Sequence, residues 1–154
     1  MKLKVCILPF LTMALFASCS PAQSEYSNKN TSSEYEINAN LLISWDDCLS
    51  QKETHYLVFF YSKSCQHCHQ IMGDVLSFGE SNIVKTYFLD TKDPNNNVQL
   101  SNDIDKTIGV SETDELFIVG TPTLLEIEDG FVKANVPGKE DCLSLLNELR
   151  LNNI

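Results

Sequence analysis

The stretch Cys65-Gln66-His67-Cys68-His69 concentrates more reactive chemistry than any other part of the sequence. Two cysteines separated by two residues can close a small ring when both lie at the start of a helix. The first then sits where unpaired backbone amides and the helix dipole favour negative charge. Such a site lowers a thiol pKa from about 8.5 into a range of roughly 3.5 to 7.5, so thiolate is present at neutral pH. Cys65 is therefore the expected nucleophile, and Cys68, one turn further on, the thiol that attacks a mixed disulfide and releases product. His67 can give the Cys65 thiolate a hydrogen bond or, when protonated, a positive charge. Either effect stabilises the reduced pair and makes the disulfide more oxidising.

The same residues admit other chemistries. Two thiols followed directly by His69 match the attachment pattern of a c-type haem, with the imidazole for the iron. Met72 lies too close along the same helix to supply the opposite axial position. Thiolates and imidazoles also suit zinc or copper, so a metal-binding or docking module without catalysis is the main non-enzymatic alternative. No second ligand pair stands at a metal-site spacing, and the expectation is no metal site and no cofactor beyond the Cys65–Cys68 disulfide itself.

The elements that must hold the pair follow from the periodicity. Residues 55–61 form a continuous β-prone run without polar alternation, which predicts a central strand covered on both faces. Cys68, Ile71, Met72, Val75 and Leu76 recur at helical spacing, so the cysteines open a helix, with Gly79 placed to cap its end. Upstream, Leu41, Leu42, Trp45, Cys48 and Leu49 predict another helical face, with Trp45 in the core and His55 at the surface. Residues 83–89 read as a second inner strand. Asp93-Pro94-Asn95-Asn96-Asn97 marks a turn into a helical stretch ending near Gly109. Residues 110–120 admit two readings, a surface insertion with its acidic centre at 112–115 or, over 116–119, an extension toward the next strand. Residues 124–128 and 131–135 flank Asp129-Gly130, a two-residue hairpin signal. A last helix presents Cys142, Leu145, Leu146 and Leu149, with Arg150 suited to its C-terminus. This alternation is that of an α/β domain.

Two motifs together carry a family resemblance. Tyr56-Leu57-Val58-Phe59-Phe60-Tyr61-Ser62-Lys63-Ser64-Cys65-Gln66-His67-Cys68 resembles the strand and active-site turn of the thioredoxin superfamily, and Gly120-Thr121-Pro122-Thr123-Leu124-Leu125 resembles its proline segment. The resemblance covers roughly residues 36–151. It implies a thioredoxin-like fold over 36–154, a central mixed sheet of four to five strands flanked by helices on both faces, and thiol–disulfide oxidoreductase activity. It also implies a cis Pro122 beside the disulfide and a Thr121 backbone open to an extended substrate segment. Thr121 is similar to the residue found there in disulfide isomerases. Many members place a buried acid six residues before the first cysteine, where this chain has Phe59; proton transfer then falls to water, His67 or His69. Oxidase, isomerase and reductase share such a site and differ through redox potential and partners.

At the N-terminus, Lys2 and Lys4 precede an apolar run from Val5 to Phe16, interrupted by Pro9 and Thr12, which reads as a secretory signal peptide. The run is too short for a transmembrane helix, which needs roughly 20 residues. Leu15-Phe16-Ala17-Ser18-Cys19 resembles the bacterial lipobox, with Phe16 where leucine is preferred. The expectation is a signal peptide over 1–18 and a lipidated Cys19. Residues 19–35 are too polar to bury a core and read as a disordered tether. The protein is then exported and held at the outer face of the cell membrane. Cleavage near Ala22, giving a secreted or periplasmic soluble protein, is the alternative. Expected partners are exported thiol- or disulfide-containing proteins, the membrane through Cys19, and a membrane or soluble redox partner.

The remaining composition sets bounds. With 154 residues, 43% hydrophobic and 21% charged, one domain with additions is expected, and a net charge of −10 argues against a nucleic-acid partner. Cys6 leaves with the signal peptide. Cys48 and Cys142 each fall on an apolar face and are expected as buried free thiols under opposite sides of the sheet, where no bridge can form.

Overall fold

A strand without polar alternation has two apolar faces to hide, and β1 (His55–Tyr61) hides both. Leu57, Phe59 and Tyr61 enter one core cluster, while Tyr56, Val58 and Phe60 enter another. The computed structural model describes residues 35–153. The expected signal peptide, Cys19 and nearly all of the tether therefore lie outside the described residues.

After β1 come α1 (Gln66–Glu80), β2 (Lys85–Asp90), β3 (Thr123–Glu128), β4 (Phe131–Pro137) and α2 (Lys139–Leu151). The four strands form one mixed sheet in the order β2-β1-β3-β4. β1 and β2 run parallel with α1 as their crossover, and β3 and β4 are antiparallel neighbours of what precedes them. The β3–β4 turn has Asp129 at φ 52° and Gly130 at φ 83°, the left-handed pair that a tight hairpin demands.

Both α-helices cover the same face, which corrects the expectation of helices on both faces: the segments before β1 and after β2 give their backbone to β2 and to Ile118 instead of forming helices. Ile71, Met72, Val75 and Phe78 of α1 and Cys142, Leu146 and Leu149 of α2 pack with Leu57, Phe59 and Phe88. The other face is covered by irregular chain and short 3-10 turns. There Trp45, Cys48, Leu49, Leu116 and Ile118 close over Val58, Phe60 and Leu125, with the rings of Trp45 and Phe60 edge-on at 5.9 Å. Full burial of a Leu or Ile side chain contributes roughly 1.5–3 kcal/mol, enough for a few such anchors to hold segments that lack helical hydrogen bonds.

Three further expectations are corrected by this arrangement. The helix expected over residues 41–49 does not form. A 3-10 turn at Ala39–Leu41 is followed by Leu42 bridging to Phe88, and the Ile43 N–H donates to the Phe88 carbonyl at 3.0 Å. The backbone is thus drawn to the edge of β2. The spacing of Trp45, Cys48 and Leu49 is met by a single turn, in which the Trp45 N–H donates to Asn96 Oδ1 and the Ser44 hydroxyl to Asp47. The helical stretch expected before Gly109 shrinks to a 3-10 turn at Ile104–Thr107, because Gln99 and Ser101 pair with Ile118 instead. Gly79 does not cap α1. It lies inside the helix, where a Cβ would sit 3.4 Å from Thr86 and limit the approach of α1 to β2. The helix ends at Ser81, whose hydroxyl donates to the Phe78 carbonyl, and Asn82 takes the left-handed position at φ 56°.

Both sheet edges are covered in part. Leu42 and Ile43 lie along β2, and on β4 the Gly109 N–H donates to Val132 O while the Val132 N–H donates to Val110 O.

Candidate active site

The buried β1 delivers the chain to Ser62, and three residues later Cys65 stands as the N-cap of α1. Its backbone is extended (φ −83°, ψ 107°), so its side chain turns back over the first helical turn. The Cys68 N–H donates to Cys65 Sγ at 3.0 Å. The two sulfurs are joined in a disulfide with the Cα atoms 5.2 Å apart. Exposure divides the roles. Cys65 is half-buried, whereas Cys68 is 1% exposed within the apolar cluster that includes Ile71, Met72 and Leu124. A thiolate formed at Cys65 would meet solvent on one side and a backbone amide at a helix start on the other.

The entry turn is tied down locally. The Cys65 N–H donates to Ser62 O and the His69 N–H to Cys65 O, both at 3.1 Å. His69 also donates from its ring: Nε2–H reaches the Lys63 carbonyl at 2.8 Å. Nothing in the sequence pattern pointed to this bond. His67 is exposed and makes no side-chain hydrogen bond among the described residues, so no contact to Cys65 Sγ is present in the disulfide form. Glu140, at the start of α2, lies within its electrostatic reach. That carboxyl is held below the usual range by its own backbone amide first, then by Lys139, with His67 adding a smaller effect. Lys139 in turn donates to Gln70 Oε1 at 2.9 Å, joining the N-terminal parts of the two helices.

The Thr121–Pro122 peptide bond is cis, and Pro122 is buried. Its carbonyl accepts from the Gly138 N–H at 2.9 Å, and the Thr123 hydroxyl donates to Gly120 O at 2.8 Å. Thr123 pairs with Phe60 across the sheet, so Pro122 follows the end of β1 that leads to Cys65. Neither backbone group of Thr121 has a hydrogen-bond partner among the described residues. The two motifs separated in sequence are therefore brought to the same end of the sheet.

Phe59 is fully buried and stacks against Tyr61, so no carboxylate occupies the position six residues before Cys65. The buried carboxylate of the sheet is Glu126, which pairs with Leu57, away from the cysteines. His55 Nε2 lies 2.9 Å from it and Lys133 Nζ 3.2 Å. This ionic group was not legible beforehand, because His55 read as a surface residue and Glu126 as one polar position in a strand. Cys48 and Cys142 are fully buried free thiols in opposite core clusters, and burial pushes each up to about 12. No group of three or more His, Cys, Asp or Glu side chains is arranged to hold a metal ion among the described residues. Haem attachment would require both sulfurs to bond to vinyl carbons and His69 to turn to iron, whereas here the sulfurs bond each other and His69 faces Lys63.

Comparison of the sequence with family models and with curated proteins found no match. Solved structures do match in fold. Thioredoxin f from spinach chloroplast, in its long form, aligns with a TM-score of 0.51 at 16% identity, over 71% of this chain and 84% of that one. A mutant thioredoxin from Halobacterium salinarum aligns with a TM-score of 0.50 at 20% identity, over 74% of this chain and 90% of that one. The chain has the thioredoxin fold: a four-stranded mixed sheet with helices.

Proposed function

We propose that this protein is a thiol–disulfide oxidoreductase acting on exported proteins through Cys65 and Cys68. The observation that carries the reading is the asymmetric pair itself: a half-buried sulfur capping a helix, bonded to a buried sulfur one turn along. In the oxidising direction a substrate thiolate attacks Cys65 Sγ, the S–S bond breaks, and Cys68 leaves as a thiolate that takes up a proton. A second substrate thiolate then attacks the mixed disulfide and frees Cys65. Two electrons and two protons pass to the pair, and the substrate gains its disulfide. In the reducing direction Cys65 attacks the substrate disulfide and Cys68 resolves the intermediate. The unpartnered backbone of Thr121 is suited to hold an extended substrate segment beside the sulfurs. No cofactor enters either direction, and a membrane or soluble redox partner resets the pair.

In this reading the chain is exported by its N-terminal segment and anchored through a lipid on Cys19, with the polar stretch after it as a tether. Equilibration of the full chain with glutathione buffers tests the chemistry. One two-electron transition assigned to Cys65–Cys68 supports it, and a pair that stays in one state across all physiological ratios overturns it.

A further inference from the structure

We propose that His69 is a positioning residue for the nucleophile, clamping the turn that carries Cys65 through its hydrogen bond to the Lys63 carbonyl; this rests on Cys65 being the attacking sulfur. Among the described residues, His69 is the only side chain of α1 that donates to the entry segment 62–64. The acceptor is a carbonyl, so Nε2 carries a proton in this contact whatever the charge on the ring. His69 is exposed, so burial does not hold it there.

The clamp matters most after reduction. In the disulfide form a covalent bond fixes Cys65 to Cys68. Once that bond is broken, the entry turn is held by the Cys65 N–H to Ser62 O and the His69 N–H to Cys65 O, both at 3.1 Å, by a Ser62–Ser64 hydroxyl contact at 3.4 Å, and by the His69 ring to Lys63 O at 2.8 Å. The hydroxyl contact is longer than a hydroxyl hydrogen bond normally is, and the ring bond is the one side-chain contact of ordinary length. The thiolate must stay over the Cys68 amide to draw on the helix start, and a turn free to move lets it drift away. His69 thus acts on reactivity through the backbone. The charged and titratable groups near the turn include Lys63 within it, His67 on α1, Asp90 and Asp93 after β2, which act on the neighbouring Tyr61, and Lys139 and Glu140 at the start of α2. They are unchanged in every variant below.

The test uses the reduced full-length protein. Its iodoacetamide alkylation rate at Cys65 is followed by peptide mass spectrometry from about pH 4 to 9, the range in which activated thiols titrate. His69→Gln keeps an uncharged donor near the place of Nε2, whereas His69→Phe keeps a ring and removes the donor. The Phe variant is expected to titrate at higher pH and to react about fivefold more slowly on the acid limb, the effect of one ordinary hydrogen bond. The Gln variant should remain close to wild type. His69→Ala, which places no ring on the surface, should follow the Phe variant and replaces it if that protein misfolds. A donor-less variant indistinguishable from wild type would overturn the clamp. A Gln variant shifted as far as Phe would overturn it too, in favour of a charge effect. Faster alkylation of Cys68 than of Cys65 in wild type would instead remove the assignment of the nucleophile on which the clamp depends.

Discussion

The amide of Cys68 donates to the sulfur of Cys65, so the residue that would resolve a mixed disulfide also supports the sulfur that would form it. The two cysteines are nevertheless unlike in access, and the first prediction follows from that difference. Cys65→Ser should abolish exchange. Cys68→Ser should accumulate substrates as mixed disulfides through Cys65, visible as dithiothreitol-sensitive adducts on non-reducing gels. Equal trapping by both variants would contradict the assigned roles.

His67 gives the second. In the disulfide form it is exposed and its side chain makes no hydrogen bond among the described residues, so any contact it makes to Cys65 must form on reduction. Such a contact would favour the reduced pair. His67→Pro is expected to lower the reduction potential by tens of millivolts, since roughly 30 mV corresponds to 1.4 kcal/mol for a two-electron couple. Equilibrium titration against glutathione measures this independently of rates. A wild-type potential near that of cytosolic thioredoxins, unmoved by the substitution, would leave a reductase.

The buried thiols predict an alkaline limit. Folding raises Cys48 and Cys142 from the ordinary thiol value of 9.0 to about 12, so the unfolded chain loses protons first as pH rises. Stability is whole below about pH 9 and falls as pH climbs from there toward 12, by up to about 1.4 kcal/mol per pH unit for each thiol. Tyr56, Tyr61 and Tyr87, all raised mainly by burial, add to the loss above pH 10. Between neutral pH and about pH 10, where the tyrosines do not yet contribute, denaturant midpoints should fall less in a Cys48→Ala, Cys142→Ala double variant than in wild type, even though its stability at neutral pH is lower.

The fourth concerns location. Cys19→Ala is expected to move the protein from the membrane fraction to the soluble exported fraction, because a lipid on Cys19 is the proposed anchor. Membrane retention with the apolar run still present would indicate an uncleaved N-terminal anchor. Soluble wild-type protein would point to cleavage near Ala22.

Much of this arrangement was legible in the residues. The run from His55 to Tyr61 gave a two-faced strand with its observed bounds, and Asp129-Gly130 gave a hairpin. Both signals are local and strong. The cysteine pair and Thr121-Pro122 marked the two segments that meet at one end of the sheet. Periodicity failed where a tertiary partner competed for the backbone. Leu42 and Ile43 join β2, and Gln99 and Ser101 join Ile118, so the spacing that resembled helices belongs to single turns. The contact of His69 with Lys63 was invisible for another reason: it depends on a rotamer and a loop path, and neither leaves a mark on spacing.

The covering of the two sheet edges bears on how the protein behaves at high concentration. An open strand edge is a template on which another copy can add, and it is the usual start of runaway assembly. Here Leu42 and Ile43 meet β2 at Phe88, Gly109 and Val110 pair with Val132 at the start of β4, and Pro137 ends β4 without an amide proton. Neither edge leaves a long uninterrupted ladder for a neighbour. Strand addition by a neighbour is therefore limited on both flanks, and the backbone of Thr121, without a hydrogen-bond partner among the described residues, lies instead at the end of the sheet that leads to Cys65.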